Sequence, residues 1–439
     1  MKNDRILSSV LALCLTVGSL SGCGRVEDER EEENIVSNPY AGAVSMEETP
    51  VVDYAVPMLL PNILVDTKGY SAGEGMVAVV KGRKLPEEFV LVDVETGGEA
   101  YRGSVEEPVY REEQGFYSGY ADFSDFQGTG VYYIKCDGIG CSMTFPIREA
   151  QYAALFDEVY REMLESCRSK ELSPADAVAL LEAYEWYEEI FPDEDEDQVP
   201  DVLKVLCGWI SYREESGVDE EDEALYAAFL AKFSYLYQKF DRKYATDCIK
   251  RASTVLGEVQ ARSRKGGSAA GSQADLFFAL TELYRATGRY TYRARIADCR
   301  HFFEDNDSYL DERSYLHAAM TYLDTRQRVD VNLCDNFINH LRERAEETSK
   351  KSTVLIDAVA PVNGGSADLL KGAVELSCAN YIVNNYQYTA VAEDFLHYLM
   401  GRNPGSVCFY DNGEDRGGYL LLLAQLTAIH EAGKHIKEG

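Results

Sequence analysis

The hydrophobic pattern changes its period once, near Ala150, and this change constrains the fold more than any other feature of the sequence. Before it, short runs rich in β-branched and aromatic residues are separated by turn clusters such as Lys68–Gly73; the runs are Asn62–Val65, Met76–Val80, Phe89–Val94 and Gly130–Ile134. About seven short strands at this spacing are typical of a β-sandwich of some hundred residues. We therefore predict an all-β sandwich over residues 50–148.

After Ala150 the apolar residues recur every three or four positions, as Tyr152, Leu155, Phe156 and Val159 do. This spacing places them on one face of a helix. No strand pattern interrupts the region, and further helices are predicted near 175–189, 200–213, 223–239, 242–260, 274–287, 291–303, 310–322, 331–347, 366–380, 388–400 and 417–434. Many helices joined by short loops predict an all-α array or an α/α barrel over residues 149–439.

The chain begins with a predicted signal peptide over residues 1–22. A short basic stretch precedes the apolar segment Ile6–Leu20, which is too short for a membrane span and ends at Ser21-Gly22-Cys23. Small residues followed by Cys match the bacterial lipoprotein cleavage box, so Cys23 is predicted to carry lipid and to hold the protein on the membrane at the outer, extracytoplasmic side. An ordinary secretory signal with an accidental Cys is the alternative. Residues 23–49, which include the acidic block Glu27–Glu33, are predicted to be a disordered tether.

The balance of 43 Lys and Arg against 75 Asp and Glu gives a formal net charge of −32. Such a surface repels phosphate groups, which excludes a nucleic-acid partner held by basic residues. It also argues against adhesion to anionic lipid through the folded surface, so the lipid bilayer is expected to be a partner only through Cys23.

Several chemistries have no support in the sequence. Two of the 11 Cys are Cys14 and Cys23, and the other nine form no CxxC pair. Most of these nine lie in apolar helical patterns and are predicted to be buried thiols. Cys136 and Cys141 could instead form a disulfide across a turn. The six His form no HExxH motif. GxSxG, GxGxxG and P-loop motifs are also missing, so no cofactor or catalytic metal is predicted.

Several segments resemble family 9 glycoside hydrolases, the cellulase type that carries an immunoglobulin-like module before its barrel. The most specific is Tyr398–Pro404, with the sequence YLMGRNP. The others, in the same order as in the family, are Pro61–Tyr70, Gly119–Tyr132, Val199–Leu203, Phe240–Ala245, Leu283–Gly288 and Gly364–Ser366. The resemblance implies an immunoglobulin-like sandwich followed by an (α/α)6-barrel-like domain, here shortened, and β-glucan-type polysaccharide as the ligand.

The sequence departs from this family where the chemistry would be. The family's Asp-Ala-Gly-Asp motif, whose Asp activates water, is replaced by a short link, Cys167–Pro174, and Asp176 further on is interpreted as a first-turn carboxylate. The family's substrate-binding His and Arg loop after the Asn-Pro segment is also missing. The acidic run Glu188–Asp197 offers clustered carboxylates to calcium, but its spacing is not that of an EF-hand, and a solvated loop is the simpler interpretation.

Glu414 is the one candidate catalytic residue. By resemblance it is the general acid, with Tyr419 five residues on; the alternative is a carboxylate favoured at a helix start by the macrodipole. The carbohydrate-binding candidates are Trp186, Tyr187, Tyr184 and Tyr419, although core packing is the more common role of such residues. Three functions therefore compete: an active inverting hydrolase with a rearranged site, a surface-anchored glycan-binding protein whose catalytic motif is largely lost, and a structural scaffold lipoprotein.

Overall fold

The computed structural model describes residues 61–112, 114–264, 272–304, 307–350, 365–413 and 415–438, with backbone only for 264 and 433–438. The predicted signal peptide, the lipid-bearing Cys23, the tether and the candidate acid Glu414 lie outside these residues. Within the described residues the predicted fold class is confirmed: strands end at Arg148 and helices begin at Gln151.

The N-terminal part is a sandwich of two sheets that share one long strand. Its strands are β1 Ile63–Leu64, β2 Tyr70–Ser71, β3 Val77–Gly82, β4 Glu88–Asp93, β5 Glu99–Arg111, β6 Phe116–Asp122, β7 Gly130–Cys136, β8 Gly140–Cys141 and β9 Phe145–Arg148. The second half of β5 pairs with β6 and continues through β3 to β1. The first half of β5 pairs with β4, and this second sheet continues from β4 through β7 and β9 to β2, with β8 beside β7. Apolar residues of both sheets meet in one core, whereas Leu64 of β1 and Val79 of β3 pack into the core of the helical domain.

Two strands differ from the sequence-based expectation. The turn cluster Lys68–Gly73 contains strand β2, which runs parallel to β9, so the prediction of a simple turn there was wrong. Strand β5 was not predicted at all, because all 13 of its residues are exposed or half-buried and they include Gly103, Pro108 and several charges. Its register shifts beside Glu107, which has φ +50°, so the strand bends at that point from one sheet to the other.

Twelve α-helices follow in the described residues. They are α1 Gln151–Arg168, α2 Pro174–Trp186, α3 Asp201–Ser216, α4 Glu223–Tyr237, α5 Arg242–Arg264, α6 Gln273–Thr287, α7 Tyr290–Asp298, α8 Arg313–Asp324, α9 Val331–Lys350, α10 Gly365–Val383, α11 Tyr386–Leu399 and α12 Arg416–Glu438. Helices α2, α4, α6 and α10 are buried on nearly all sides, whereas α1, α3 and α9 are amphipathic. Helices buried all round belong inside a bundle, so the even-numbered helices form the inner ring of an α/α barrel.

The inner helices run in the same direction, because their first turns contact one another and so do their last turns. Arg313 at the start of α8 binds Asp415 just before α12. Lys232 in the last turns of α4 contacts Glu185 at the end of α2. The barrel therefore has two different ends. We call the end where inner helices begin the N-terminal mouth and the end where they finish the C-terminal mouth.

The segment that most resembles the known family forms the joint between sandwich and barrel. The amide and the hydroxyl of Thr67 both donate to the Met400 carbonyl, at 3.0 and 2.7 Å. Gly401 has φ +128°, and a Cβ there would lie 2.9 Å from the Thr67 hydroxyl oxygen. The buried His397 bonds Asp66 at 2.7 Å between Nδ1 and Oδ2. Glycine is thus required where the two domains touch.

No described helix is both long and apolar enough to cross a membrane. The nine described cysteines are free thiols, and Cys136 and Cys141 lie on paired strands without a bond between them.

Candidate functional site

Three of the carboxylates at the N-terminal mouth, Asp415, Asp275 and Asp176, are each held by a neighbouring side chain. Asp415 accepts two hydrogen bonds from Arg313, at 2.5 and 2.6 Å. Burial raises the pKa of Asp415, but the hydrogen bonds and charge of Arg313 outweigh it and hold that pKa below its ordinary value. Asp275 accepts a 2.5 Å bond from the Ser314 hydroxyl.

Asp176 is the third of these carboxylates, and it belongs to the first turn of α2, as interpreted from the sequence. The Ser173 hydroxyl donates to its Oδ2 at 2.7 Å and accepts from its amide at 3.1 Å. This reciprocal arrangement is an N-terminal helix cap, so Asp176 is used to start the helix.

The link between α1 and α2 is a five-residue turn, residues 169–173, held close to the barrel. The amides of Glu171 and Leu172 both donate to the Ser166 carbonyl, at 2.9 and 3.0 Å. The Leu172 side chain is buried, and its carbonyl accepts bonds from Trp209 and Arg213. The one acidic residue of the turn, Glu171, accepts a 3.3 Å bond from the Ser169 hydroxyl.

The described neighbours of the candidate acid Glu414 are structural. Tyr419, five residues on, is 2% exposed, and its ring contacts Tyr410 edge-on at 5.2 Å. The assignment of Glu414 as general acid stays a prediction.

Three of the four candidate carbohydrate-binding residues are buried: Tyr184, Tyr187 and Tyr419. Tyr184 donates to Glu188 at 2.9 Å, and Tyr187 accepts from Gln425 at 2.9 Å. Buried rings offer no face to a sugar in this conformation, so their placement matches the alternative of core packing. Trp186, the fourth, is half-buried at the end of α2 and stacks on Tyr381, with ring centroids 5.4 Å apart. Tyr381 was not singled out from the sequence.

A cluster of buried charges fills the barrel near its C-terminal mouth. Lys232 is fully buried; its Nζ lies 3.0 Å from Glu182 Oε1 and 3.5 Å from Glu282 Oε1, and it also contacts Glu185. Arg285 contacts Glu185 and bonds Glu282 at 2.7 and 3.0 Å. Sequence reasoning missed this cluster, although charged residues in otherwise apolar inner helices were a signal for it.

The protonation states of the cluster make it electrically neutral. Burial raises the pKa of Glu182 to about 8. Burial also opposes ionisation of Glu185, but Lys232 and Arg285 outweigh it and lower that pKa to about 2. With Glu182 protonated near neutral pH, two carboxylates face two cations. A neutral, fully enclosed cluster is suited to holding helices together, since buried ions are stable only when paired.

The acidic run Glu188–Asp197 is organised around a lysine. Lys204 Nζ lies between its carboxylates and that of Asp201, 2.8 Å from Asp197, 3.3 Å from Asp193 and 3.4 Å from Asp201, and it also contacts Asp195. The ammonium group thus takes the position between the carboxylates that a bound calcium would require.

A cavity of about 560 Å³ opens at the N-terminal mouth between the first turns of α6 and α8. Phe277, Phe302 and Tyr315 line it, with Glu312 and Asp298 at its edge. Its volume lies in the range of small-ligand sites. It does not contain any of the predicted site residues.

Family comparisons agree with this architecture. Residues 209–414 match the model described as glycosyl hydrolase family 9, and residues 60–141 match the cellulase N-terminal ig-like domain. Among curated proteins no relative matches significantly.

Solved structures of similar fold include a metagenome-derived glycoside hydrolase family 9 endoglucanase, with TM-score 0.63, 17% identity and coverage of 79% of this chain and 84% of that one. A Bacteroides ovatus family 9 protein has TM-score 0.62 and 14% identity over 84% of this chain and 99% of its own. A third, AaCel9A in complex with cellobiose-like isofagomine, has TM-score 0.57 and 15% identity over 79% and 84%. At these identities the likeness shows the fold.

Proposed function

Because this chain belongs to glycosyl hydrolase family 9 and carries a cellulase-type ig-like domain before its barrel, we propose that it binds β-glucan-type polysaccharide and hydrolyses it little or not at all. We further propose that lipid on Cys23 anchors it at the bacterial surface, with residues 23–49 as the tether. The binding part of the proposal rests on the family; the loss of hydrolysis rests on the N-terminal mouth.

The turn between α1 and α2 is the observation that carries the loss of hydrolysis. Inverting hydrolysis needs an acid and a base, roughly 6.5–9.5 Å apart, with a water beside the base. The turn of residues 169–173 is anchored through Leu172, and its one carboxylate, Glu171, accepts a 3.3 Å bond from the Ser169 hydroxyl beside it. Three of the described carboxylates at the N-terminal mouth, Asp176, Asp275 and Asp415, already accept hydrogen bonds from Ser173, Ser314 and Arg313.

An active hydrolase with a rearranged site is the second candidate, because Asp176 lies against the first turn of α12. A Cβ placed on Gly417 would be only 3.4 Å from Asp176 Oδ1, so this carboxylate is near the helix that follows Glu414. Ser173 donates to Oδ2 only, so Oδ1 would be the atom that acts as the base in this candidate. A structural scaffold without a sugar ligand is the third candidate, and it differs from the others by binding no glucan.

The test incubates the full-length protein with carboxymethylcellulose and with mixed-linkage glucan, and measures reducing ends and polymer-bound protein in the same samples. We expect bound protein and no more reducing ends than in the Glu414→Gln control. Loss of a catalytic base forfeits on the order of 10²–10⁴-fold in rate. Turnover that Glu414→Gln abolishes would establish the rearranged hydrolase. Neither binding nor turnover would leave the scaffold function.

A further inference from the structure

We propose that the glycan site of this protein lies at the C-terminal mouth of the barrel, on a platform formed by Trp186, Tyr381 and Asp324. The inference rests on the proposed glycan-binding function and adds the location and chemistry of the site. It places the sugar at the opposite end of the barrel from Glu414.

The platform joins two inner helices that are far apart in the sequence. Trp186 is the last residue of α2, and Tyr381 lies in the last turn of α10. Their rings stack with centroids 5.4 Å apart and planes inclined by 27°. Tyr381 is 39% exposed and Trp186 half-buried, so the pair forms a partly open aromatic surface. Each ring covers part of the other, and the ring surface that stays exposed is apolar enough to pack against the C–H face of a pyranose ring.

A carboxylate lies at the same mouth. Asp324 is the last residue of α8 and is exposed. Partial burial and the charge of Glu185 raise the pKa of Asp324 and outweigh the opposing charges of Arg285, Lys232 and Arg326. A carboxylate next to an aromatic face can accept hydrogen bonds from sugar hydroxyl groups, which is the polar half of sugar recognition.

The platform is held rigid from below. Tyr187 contacts the Tyr381 ring edge-on at 6.0 Å, and its hydroxyl is fixed by Gln425. Glu185, next to Trp186 in the chain, belongs to the buried cluster of Lys232 and Arg285. A binding surface that is already ordered loses little entropy when a ligand arrives, so the cluster contributes to binding without contacting the sugar.

The charge of the protein selects a neutral ligand. The net charge is −32, and the platform itself carries a carboxylate, so anionic polysaccharides and phosphate groups are repelled. At the N-terminal mouth, in contrast, Asp415, Asp275 and Asp176 are bound to Arg313, Ser314 and Ser173. A neutral β-glucan on the aromatic platform satisfies both constraints.

The chain has two tryptophans, and this makes the site directly measurable. Trp209 is 1% exposed, so acrylamide quenching of the fluorescence of the full-length protein reports on Trp186. We expect cellohexaose to reduce this quenching saturably. In affinity measurements, Trp186→Ala and Tyr381→Ala should each weaken cellohexaose binding at least about tenfold. Asp324→Asn, an exposed change that preserves shape, should weaken it several-fold.

Tyr110→Ala is the matched control, since Tyr110 and Tyr117 form an exposed aromatic pair on the ig-like domain, with centroids 5.0 Å apart. It should leave binding unchanged. Wild-type binding that survives Trp186→Ala, Tyr381→Ala and Asp324→Asn would overturn the platform while leaving the proposed function in place. Loss of binding in Phe302→Ala alone would move the site to the cavity at the N-terminal mouth and overturn the platform as well. A wild-type protein that binds no glucan would overturn the proposed function together with the platform.

Discussion

Replacing Lys232 with Met should destabilise the barrel strongly. Lys232 lies among Glu182, Glu185 and Glu282, and its side chain is fully buried. Methionine has a similar length and keeps the packing, so the change removes mainly the charge. Arg285 would then be the only cation facing Glu185 and Glu282, and one negative charge would remain uncompensated in the core.

The expected cost is about 3–5 kcal/mol, the range for removing one partner of a buried ion pair. That is a large share of the roughly 5–15 kcal/mol by which folded domains are stable. A second change tests the cause: Lys232→Met with Glu185→Gln restores neutrality, since Arg285 then faces Glu282 alone. We expect the double variant to recover about 2 kcal/mol or more of the loss.

The loss of stability caused by Lys232→Met should also depend on pH in a defined direction. In the single variant the uncompensated carboxylate has a raised pKa in the folded state, so the folded protein binds more protons than the unfolded chain. Stability therefore increases as the pH falls, by up to about 1.4 kcal/mol for each pH step while one proton is taken up. Wild type shares part of this dependence, because burial raises the pKa of Glu182 to about 8, so both proteins should gain stability as the pH falls from 8 towards the ordinary range of glutamate; the slope should be steeper in the single variant.

The assay is urea unfolding followed by far-ultraviolet circular dichroism and by tryptophan fluorescence, at pH 5, 6.5 and 8. Wild type, Lys232→Met and the double variant are compared at each pH. A single variant as stable as wild type, or a double variant less stable than the single one, would refute the assignment of Lys232 as the neutralising cation of the core.

Two further predictions concern the joint and the anchor. His430 lies between two carboxylates: its Nδ1 is 2.6 Å from Glu74 of the sandwich, and its Nε2 is 2.5 Å from Glu393 of α11. Burial lowers the pKa of His430, but these two partners outweigh burial and raise it to about 9. The charged His430 therefore contributes roughly 2–3 kcal/mol to the stability of the fold, in full below pH 6.5, and this contribution is lost as the pH rises through 9. The melting temperatures of wild type and His430→Gln should converge over this range. A difference that stays constant with pH would contradict the charged bridge. Cys23→Ala should move the protein from the membrane fraction to the soluble fraction, and retention after a high-salt wash would disprove lipid anchoring.

The helices were predictable because their apolar spacing is local. The buried face of α1 was predicted from Tyr152, Leu155, Phe156 and Val159, and each of them is at most 5% exposed in the structure. Strand β5 escaped prediction for the converse reason: its exposed faces leave no apolar alternation, and its pairing depends on strands on both sides.

The site was less predictable, because its contacts join residues that are distant in the chain. Arg313 and Asp415 are 102 positions apart, and nothing in the sequence around either residue indicates the other. Trp186 was recognised as a sugar-binding candidate, but Tyr381 becomes its partner only when the inner ring of helices brings α2 and α10 together. The short link between α1 and α2, in contrast, could be read from the sequence, because its length is a local property; that it replaces the family's catalytic motif stays a prediction.

The most direct test of the central claim is to follow cellohexaose itself in the presence of a saturating concentration of the full-length protein. Calorimetry on the sample measures binding, and chromatography of the same sample after prolonged incubation measures the length of the oligosaccharide. The account predicts saturable binding in roughly the micromolar range with cellohexaose recovered intact. Accumulation of shorter oligosaccharides, abolished by Glu414→Gln, would contradict it and show that the barrel retains a working acid and base.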